Sequence, residues 1–215
     1  MDTDDNGITA PSEPTTIRLS TTLLAVFAAL AIAAIAFATV GFVRSESAEA
    51  AEVTELEFDV AEDGTRFVFD EAPVFDDGMP AYGNAFVTQG YIYEAGAIDA
   101  VGAGVNVDGT PTHPDLVVGT WTCEGHMIGD GARSETGAWV VSKQIFDLGE
   151  RAGDRQIVSD GLELVDHDVV GLRPIVGGTG DFRSASGEQR QVLHGHNDSE
   201  GVQLTVELSV ETPAD

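Results

Sequence analysis

Few side chains in this sequence could do chemistry, and none stands in a spacing that commits it to one reaction. Cys123 is the only cysteine. A cysteine becomes a nucleophile when a neighbouring base favours its thiolate, and His126 lies three residues on. Cys123 also shares a strand phase with Trp121 and Met127, which makes it equally a small core residue. His194-Gly195-His196 would put two imidazoles on one strand face, a spacing that can chelate Zn²⁺ or Cu²⁺. Glu124 and His126 would complete such a site if the two strands were neighbours. The adjoining Asn197-Asp198-Ser199-Glu200 reads instead as an exposed turn, so no metal and no other cofactor is expected. Gly177-Gly178-Thr179-Gly180 lacks the Gly-Lys-Ser/Thr that completes a phosphate loop, and no helix pattern follows it. No Gly-x-Ser-x-Gly, His-Glu-x-x-His or paired-carboxylate spacing supports a hydrolase.

The elements that would position these residues are strands. From Val53 onward apolar residues recur with period two rather than 3.6. Val202, Leu204, Val206, Leu208 and Val210 alternate with Gln203, Thr205, Glu207, Ser209 and Glu211, giving one buried and one solvated face. Leu56, Phe58 and Val60 do the same against Glu55, Glu57 and Asp59. Further strands are predicted near 65–70, 84–93, 116–128, 137–147, 155–165, 170–176 and 181–193, separated by turns such as Asp77-Gly78 and Asp130-Gly131. The fold class is therefore all-β. Antiparallel strands in this number hide their edges by closing into an eight-stranded barrel, with a sandwich as the alternative. The interior of such a barrel is filled by side chains or holds one small ligand. Tyr91, Tyr93, Trp121, Trp139, Phe86 and Phe146 fall on neighbouring strands and would line a pocket for an apolar molecule such as an isoprenoid, or fill a core. Residues 94–115, rich in Gly, Ala and Pro, read as a long surface loop, either a binding loop or a passive connector. Asn197 heads an N-glycosylation sequon, Asn197-Asp198-Ser199.

Ahead of the strands, 25 residues between Arg18 and Arg44 carry no charge. At 1.5 Å per residue they span the roughly 30 Å hydrocarbon core as one helix. The chain thus divides into an acidic tail (1–17), a transmembrane helix or signal segment (18–44), a linker (45–52) and the barrel (53–215). Retained, the segment makes a single-pass cell-membrane anchor with the barrel outside the cytoplasm. Cleaved after Ala48-Glu49-Ala50, it leaves a secreted domain. The 215 residues hold 37 acidic and 10 basic side chains, a formal net charge of −27. Such a surface offers no basic stripe for nucleic acid and no attraction to anionic lipid. Its self-repulsion is tolerable in molar salt, where the Debye length is about 3 Å. The composition therefore points to a halophilic source, the alternative being an acidic mesophilic protein.

The run Arg173-Pro174-Ile175-Val176-Gly177-Gly178-Thr179-Gly180-Asp181-Phe182-Arg183-Ser184-Ala185-Ser186-Gly187-Glu188 resembles a hairpin shared by the allene oxide cyclase and dirigent barrel superfamily. Gln89-Gly90-Tyr91-Ile92-Tyr93, Val118-Gly119-Thr120-Trp121-Thr122-Cys123 and Gln144-Ile145-Phe146 follow the expected order, and the similarity covers about 55–212. In this hairpin Gly177, Gly178 and Gly180 would supply the positive φ of a tight turn. Phe182 and Ala185 would pack, and Gly187 would allow a bend. The resemblance implies an eight-stranded barrel that often forms trimers. Its members include a cyclase and stereo-directing proteins without catalytic groups of their own. Cys123 stands where cyclase members have a central-strand Cys. Their lumenal Glu on the first strand has Glu57 as its nearest match, which alternates outward here. The leading expectation is an exported, tethered barrel that binds a small apolar molecule or is structural at the cell surface. An isomerase or cyclase using the lumen, and an envelope interaction module using the 94–115 loop, are the alternatives.

Overall fold

The computed structural model describes residues 51–98 and 103–214. Nine strands follow one another along the chain: β1 Glu52–Glu62, β2 Val68–Phe69, β3 Ala85–Glu94, β4 Val117–Met127, β5 Ala138–Asp147, β6 Gln156–Leu164, β7 Val170–Gly178, β8 Ser186–His196 and β9 Val202–Thr212. They are antiparallel neighbours in the order β1-β9-β8-β7-β6-β5-β4-β3-β2. β1 also pairs with β3, from Phe58↔Glu94 to Glu62↔Gly90, and this closes eight strands into a barrel. β2 is a two-residue addition beside β3. Closure leaves the eight long strands no free edge.

The period-two pattern builds the lumen. Phe58, Val60, Ile92, Trp121, Phe146, Ile157, Val206 and Leu208 point inward and are buried. Phe58 and Phe146 meet across the interior with ring centroids 5.2 Å apart. Among the described residues the only helical pieces are single 3-10 turns, and none is long and apolar enough to cross a membrane. The anchor or signal segment 18–44 lies outside the described residues.

Two expected strands are shorter than the periodicity suggests. At 65–70, the Asp63 carboxylate accepts the Thr65 N–H at 3.0 Å and the Thr65 hydroxyl at 2.6 Å, winding Gly64–Arg66 into a 3-10 turn. At 181–193, Gly180–Phe182 form another such turn, so β8 starts only at Ser186 and continues to His196. The expected tight Gly177-Gly178-Thr179-Gly180 turn is corrected accordingly. Gly177 and Gly178 end β7, and only Gly180 of the three glycines takes a positive φ, 59°. Gly178 is needed for close approach, since a Cβ there would lie 2.5 Å from the Gln156 carbonyl oxygen and 2.6 Å from that of Phe182. Phe182 and Ala185 pack in the core.

The 94–115 segment is not a passive tether. Its described residues lie against the outer face of β3, where Val105 and Tyr93 are buried together. The Tyr93 hydroxyl donates to the Gly104 carbonyl at 2.5 Å and that of Tyr91 to Gly109 at 2.9 Å.

At the closing seam a methyl group on Gly90 would collide with the Ala61 carbonyl oxygen, whereas one on Gly177 would meet nothing. Gly90→Ala is therefore expected to cost about 2–3 kcal/mol, a fall of about 5–10 °C in melting temperature. Gly177→Ala should stay within about 0.5 kcal/mol of the parent. Thermal unfolding followed by circular dichroism in one buffer checks both.

Candidate functional site

Closure delivers several polar side chains to the lumen on the same strand phase as the apolar core. Arg173 of β7, fully buried, is at the centre. The β6–β7 ladder runs Ile157↔Gly178, Val158↔Gly177 and Ser159↔Ile175, with a shift after Val158. Beyond it the guanidinium fills the gap. Nη2 donates to the Ser142 carbonyl at 2.8 Å, and Nη1 reaches the carbonyls of Gly161 and Leu162 at 3.4 Å each. Nη1 also lies 3.3 Å from Glu163 Oε1, an ion pair almost wholly withdrawn from water. Glu163 further accepts from the Ser142 hydroxyl, the Cys123 thiol at 3.5 Å and Gln191 Nε2 at 3.5 Å. Gln144, Gln189 and Gln191 bond to one another at 2.7–3.0 Å beside this pair. The network spans β4 to β8 and leaves its charges paired, as burial requires.

Next to it, at one end of the barrel, is a small cavity. Glu62, Thr88, Trp121, Cys123 and Glu163 line its polar side; Phe67, Phe86, Met127, Trp139, Val140 and Val202 line the rest. The free space is about 30 Å³, room for about two water molecules. Glu62 Oε1 accepts the Thr88 hydroxyl at 2.6 Å, and Oε2 accepts the Val202 N–H at 2.8 Å. Burial pushes the Glu62 carboxyl above its ordinary range, and the nearby Glu163 and Asp63 charges push the same way. The indole N–H groups of Trp121 and Trp139 are buried and have no hydrogen-bond partner.

The structure sorts the residues singled out by sequence. Trp121, Cys123, Phe146 and Phe86 face the lumen, and Trp139 packs on its rim. Tyr91 and Tyr93 do not. They alternate with Ile92 onto the outer face, under the 94–115 loop. Cys123 is correctly placed inside, but burial first and the Glu163 charge second push its thiol well up. His126 is exposed on the opposite face of β4 and cannot act as its base. Cys123 is therefore a hydrogen-bonding thiol and not an activated nucleophile.

Glu57 is exposed, and the first-strand carboxyl that faces the lumen is Glu62. Its phase with Leu56, Phe58 and Val60 was readable in the sequence. Glu163 and Arg173 carry the same signal, in phase with Ile157 and Ile175 respectively. The His194 and His196 pair is exposed: His194 bonds to Asp168 at 3.0 Å and Thr205 at 2.9 Å, while His196 sits near His167. Among the described residues no group of three or more potential ligands could hold a metal. Glu124 pairs with Lys143 rather than with these imidazoles. The glycosylation reading of Asn197 is corrected too. Its side chain is buried, with Nδ2 donating to the Glu62 carbonyl at 2.7 Å. A glycan would break that bond.

Two outcomes follow. Arg173→Met leaves the Glu163 carboxylate unpaired in the lumen and should destabilise by about 3–5 kcal/mol, with part recovered on adding Glu163→Gln; denaturant unfolding of the parent and the two variants measures this. For Glu62 the folded-state value is raised above 4.5. Its contribution to stability is thus fully present below that value and lost as pH rises through the folded one. The melting temperature of the parent relative to Glu62→Gln should therefore fall as pH rises from 4 upward; a difference independent of pH would contradict this.

Two solved structures share the architecture, both of pterocarpan synthase dirigent proteins. One superposes with a TM-score of 0.54 at 17% identity, covering 78% of this chain and 99% of that one. The other gives 0.52 at 16% identity, covering 80% of this chain and 94% of that one. At this identity the likeness is one of fold, a closed eight-stranded antiparallel barrel. No protein-family profile matches the chain. No curated protein matches it in sequence.

Proposed function

We propose that this barrel binds one small, neutral, largely apolar molecule at the lumen end bounded by Trp121, Trp139, Phe67 and Phe86. The observation that carries the reading is the composition of that end: an aromatic and aliphatic wall around a few fixed polar groups, the usual make-up of a small-molecule site. The free space of about 30 Å³ describes a contracted site. Phe67 belongs to the segment between β1 and β2 and not to a barrel strand, so moving it leaves the closed sheet intact. The dirigent-type fold supports the reading, since the two similar structures are barrels named for a synthase.

The same proposal includes location. The uncharged run between Arg18 and Arg44 supports export of the 53–215 barrel, held by a retained anchor or released after Ala50. A Lys-poor chain of net charge −27 supports work in concentrated salt. A homotrimer remains an expectation from the resemblance. A second reading, isomerase or cyclase chemistry in the lumen, is favoured by one observation: Glu62 and Glu163 line the same cavity, one with its carboxyl pushed up by burial and the other ion-paired with Arg173. Carboxyls in unlike environments can divide the roles of acid and base. The packing of Val105 and Gly104 against Tyr93 of β3 supports a structural part for the described residues of the 94–115 loop over the envelope-interaction reading.

The test is to purify the full chain from a high-salt-adapted host, extract it with organic solvent and analyse the extract by mass spectrometry. Cys123→Leu, which adds volume at the cavity, is the comparison, with circular dichroism confirming that it folds. A compound enriched with the parent and lost with the variant is expected. A folded parent that carries nothing above the blank, and that takes up no apolar probe, would overturn the reading.

A further inference from the structure

The barrel wall is weakest beside the candidate cavity. β3 pairs with β1 from Gly90 to Glu94, and β1 ends at Glu62. Beyond that point β3 has only β2, through Val68↔Val87 and Phe69↔Phe86. β2 stands last in the sheet order, with no strand on its other side. β9 likewise loses β1 after the Ala61↔Gln203 pair. Between Phe86 of β3 and Val202 of β9 the cavity is therefore closed by Phe67, which no strand carries. On β4 and β5, by contrast, the ladder runs unbroken past the cavity.

Phe67 is held in this gap by few contacts. Its ring stacks on Phe86 with centroids 5.6 Å apart and meets Phe69 at 5.8 Å. The 3-10 turn before it, Gly64–Arg66, is tied to the β8–β9 turn by the Gly64 N–H, which donates to the Ser199 hydroxyl at 2.9 Å. Arg66 adds an exposed bond to Gln89 at 2.9 Å. The flanks are fixed more firmly. Asn197 Nδ2 donates to the Glu62 carbonyl at 2.7 Å, the Asp63 N–H donates to the Gln89 carbonyl at 2.9 Å, and β2 is paired with β3.

We infer that residues 64–67 form the door of this cavity, closed by the Ser199 hydroxyl, and that a guest enters between this segment and the β8–β9 turn. This rests on the binding reading above and supplies its route. A free space of about 30 Å³ admits no apolar guest until Phe67 withdraws. Segments closed by isolated bonds open locally at far lower cost than paired strands, and such openings set the rates at which enclosed sites load and empty.

Cys123 reports the door, because it lines the cavity, is 2% exposed and is the chain's one thiol. The full chain is treated with methyl methanethiosulfonate at one pH and salt concentration, and labelling is followed by mass spectrometry. Ser199→Ala removes the closing hydroxyl and should label about fivefold faster than the parent. Thr179→Val is the control. Its hydroxyl donates to the Gly153 carbonyl at 2.7 Å at the opposite end of the barrel, and its loss should leave the rate within about twofold. Equal acceleration in both variants means opening of the whole barrel, and an unchanged rate in Ser199→Ala places the entrance elsewhere; either result overturns the door. If Ser199→Ala fails to fold, hydrogen exchange of the parent decides. The bonded amides of Gly64 and Phe67 should exchange about tenfold or more faster than those of β4, and equal protection overturns the door. The binding reading is judged separately with N-phenyl-1-naphthylamine, a neutral apolar fluorophore. Ser199→Ala should raise its association and dissociation rates by the same factor and leave its affinity unchanged. Fluorophore rates that do not follow the labelling rate overturn the door as the guest's route. Faster labelling in a protein that takes up no fluorophore overturns the binding reading and leaves the door standing.

Discussion

The pairing of β1 with β3 is the constraint from which the rest of this molecule follows. A sheet with a free edge can turn either face to solvent, and its two faces are interchangeable until something covers one. Once Val60 is set against Ile92 and Ala61 against Tyr91, every second residue of eight strands is committed to one enclosed volume. That commitment holds for polar residues too. Glu62, Glu163, Arg173 and three glutamines are interior because of their phase, not because an interior favours them. The seam is made possible by the absence of a side chain at Gly90, where β3 passes close to the Ala61 carbonyl. A single backbone approach thus fixes which half of the sequence can meet a ligand.

The polar interior is expensive by any measure of transfer from water, and its cost is offset by hydrogen bonds that reach almost every group, Gln189 Oε1 and the indole N–H groups excepted. Arg173 shows how its charge is accommodated. Its guanidinium serves the Glu163 carboxylate, the carbonyl of Ser142 on β5, and the carbonyls of Gly161 and Leu162, which lie beyond the last pair of the short β6–β7 ladder. Charge neutralisation and repair of the sheet are therefore one interaction. An apolar residue of the same volume could fill the space but would orphan backbone acceptors. This is a physical reason for a buried ion pair in a position where pairs are usually no better than packed hydrocarbon.

The strand periodicity made the all-β class, the closed barrel and most strand positions legible, because burial on one face writes itself directly into β9 as Val202, Leu204, Val206, Leu208 and Val210. The two failures at 65–70 and 181–193 come from local competition. Asp63 and Thr65 bond to each other and to the backbone before a strand can form, and Gly180 takes a left-handed turn. The candidate site was half legible. Trp121, Cys123 and Phe146 stand out by type, whereas Tyr91 and Tyr93 look the same as lumenal aromatics until their phase is set against Ile92. The inward phase of Glu163 and Arg173 is legible in the sequence, but their pairing is not. Only the strand partners of a closed barrel show that the two opposite charges are brought together inside.

The contrast between the two surfaces of the barrel bears on what the inside can recognise. The outside belongs to a chain of net charge −27. The inside is close to neutral: Glu163 is matched by Arg173, and burial pushes the Glu62 carboxyl toward its uncharged form. The Cys123 thiol is likewise held protonated, which removes the reactive thiolate but leaves a weak donor to Glu163. An approaching anion is repelled by the exterior and finds no spare cation within, since the described ion pair already consumes the lumenal guanidinium. A cation is drawn to the exterior but meets, inside, carboxylate oxygens already occupied by Thr88, Val202, Ser142 and Arg173. What is left without a partner inside is the two indole N–H groups and the Gln189 Oε1 oxygen. The lumen thus holds no free charge, because every carboxyl oxygen described there is already committed to the barrel's own hydrogen bonds.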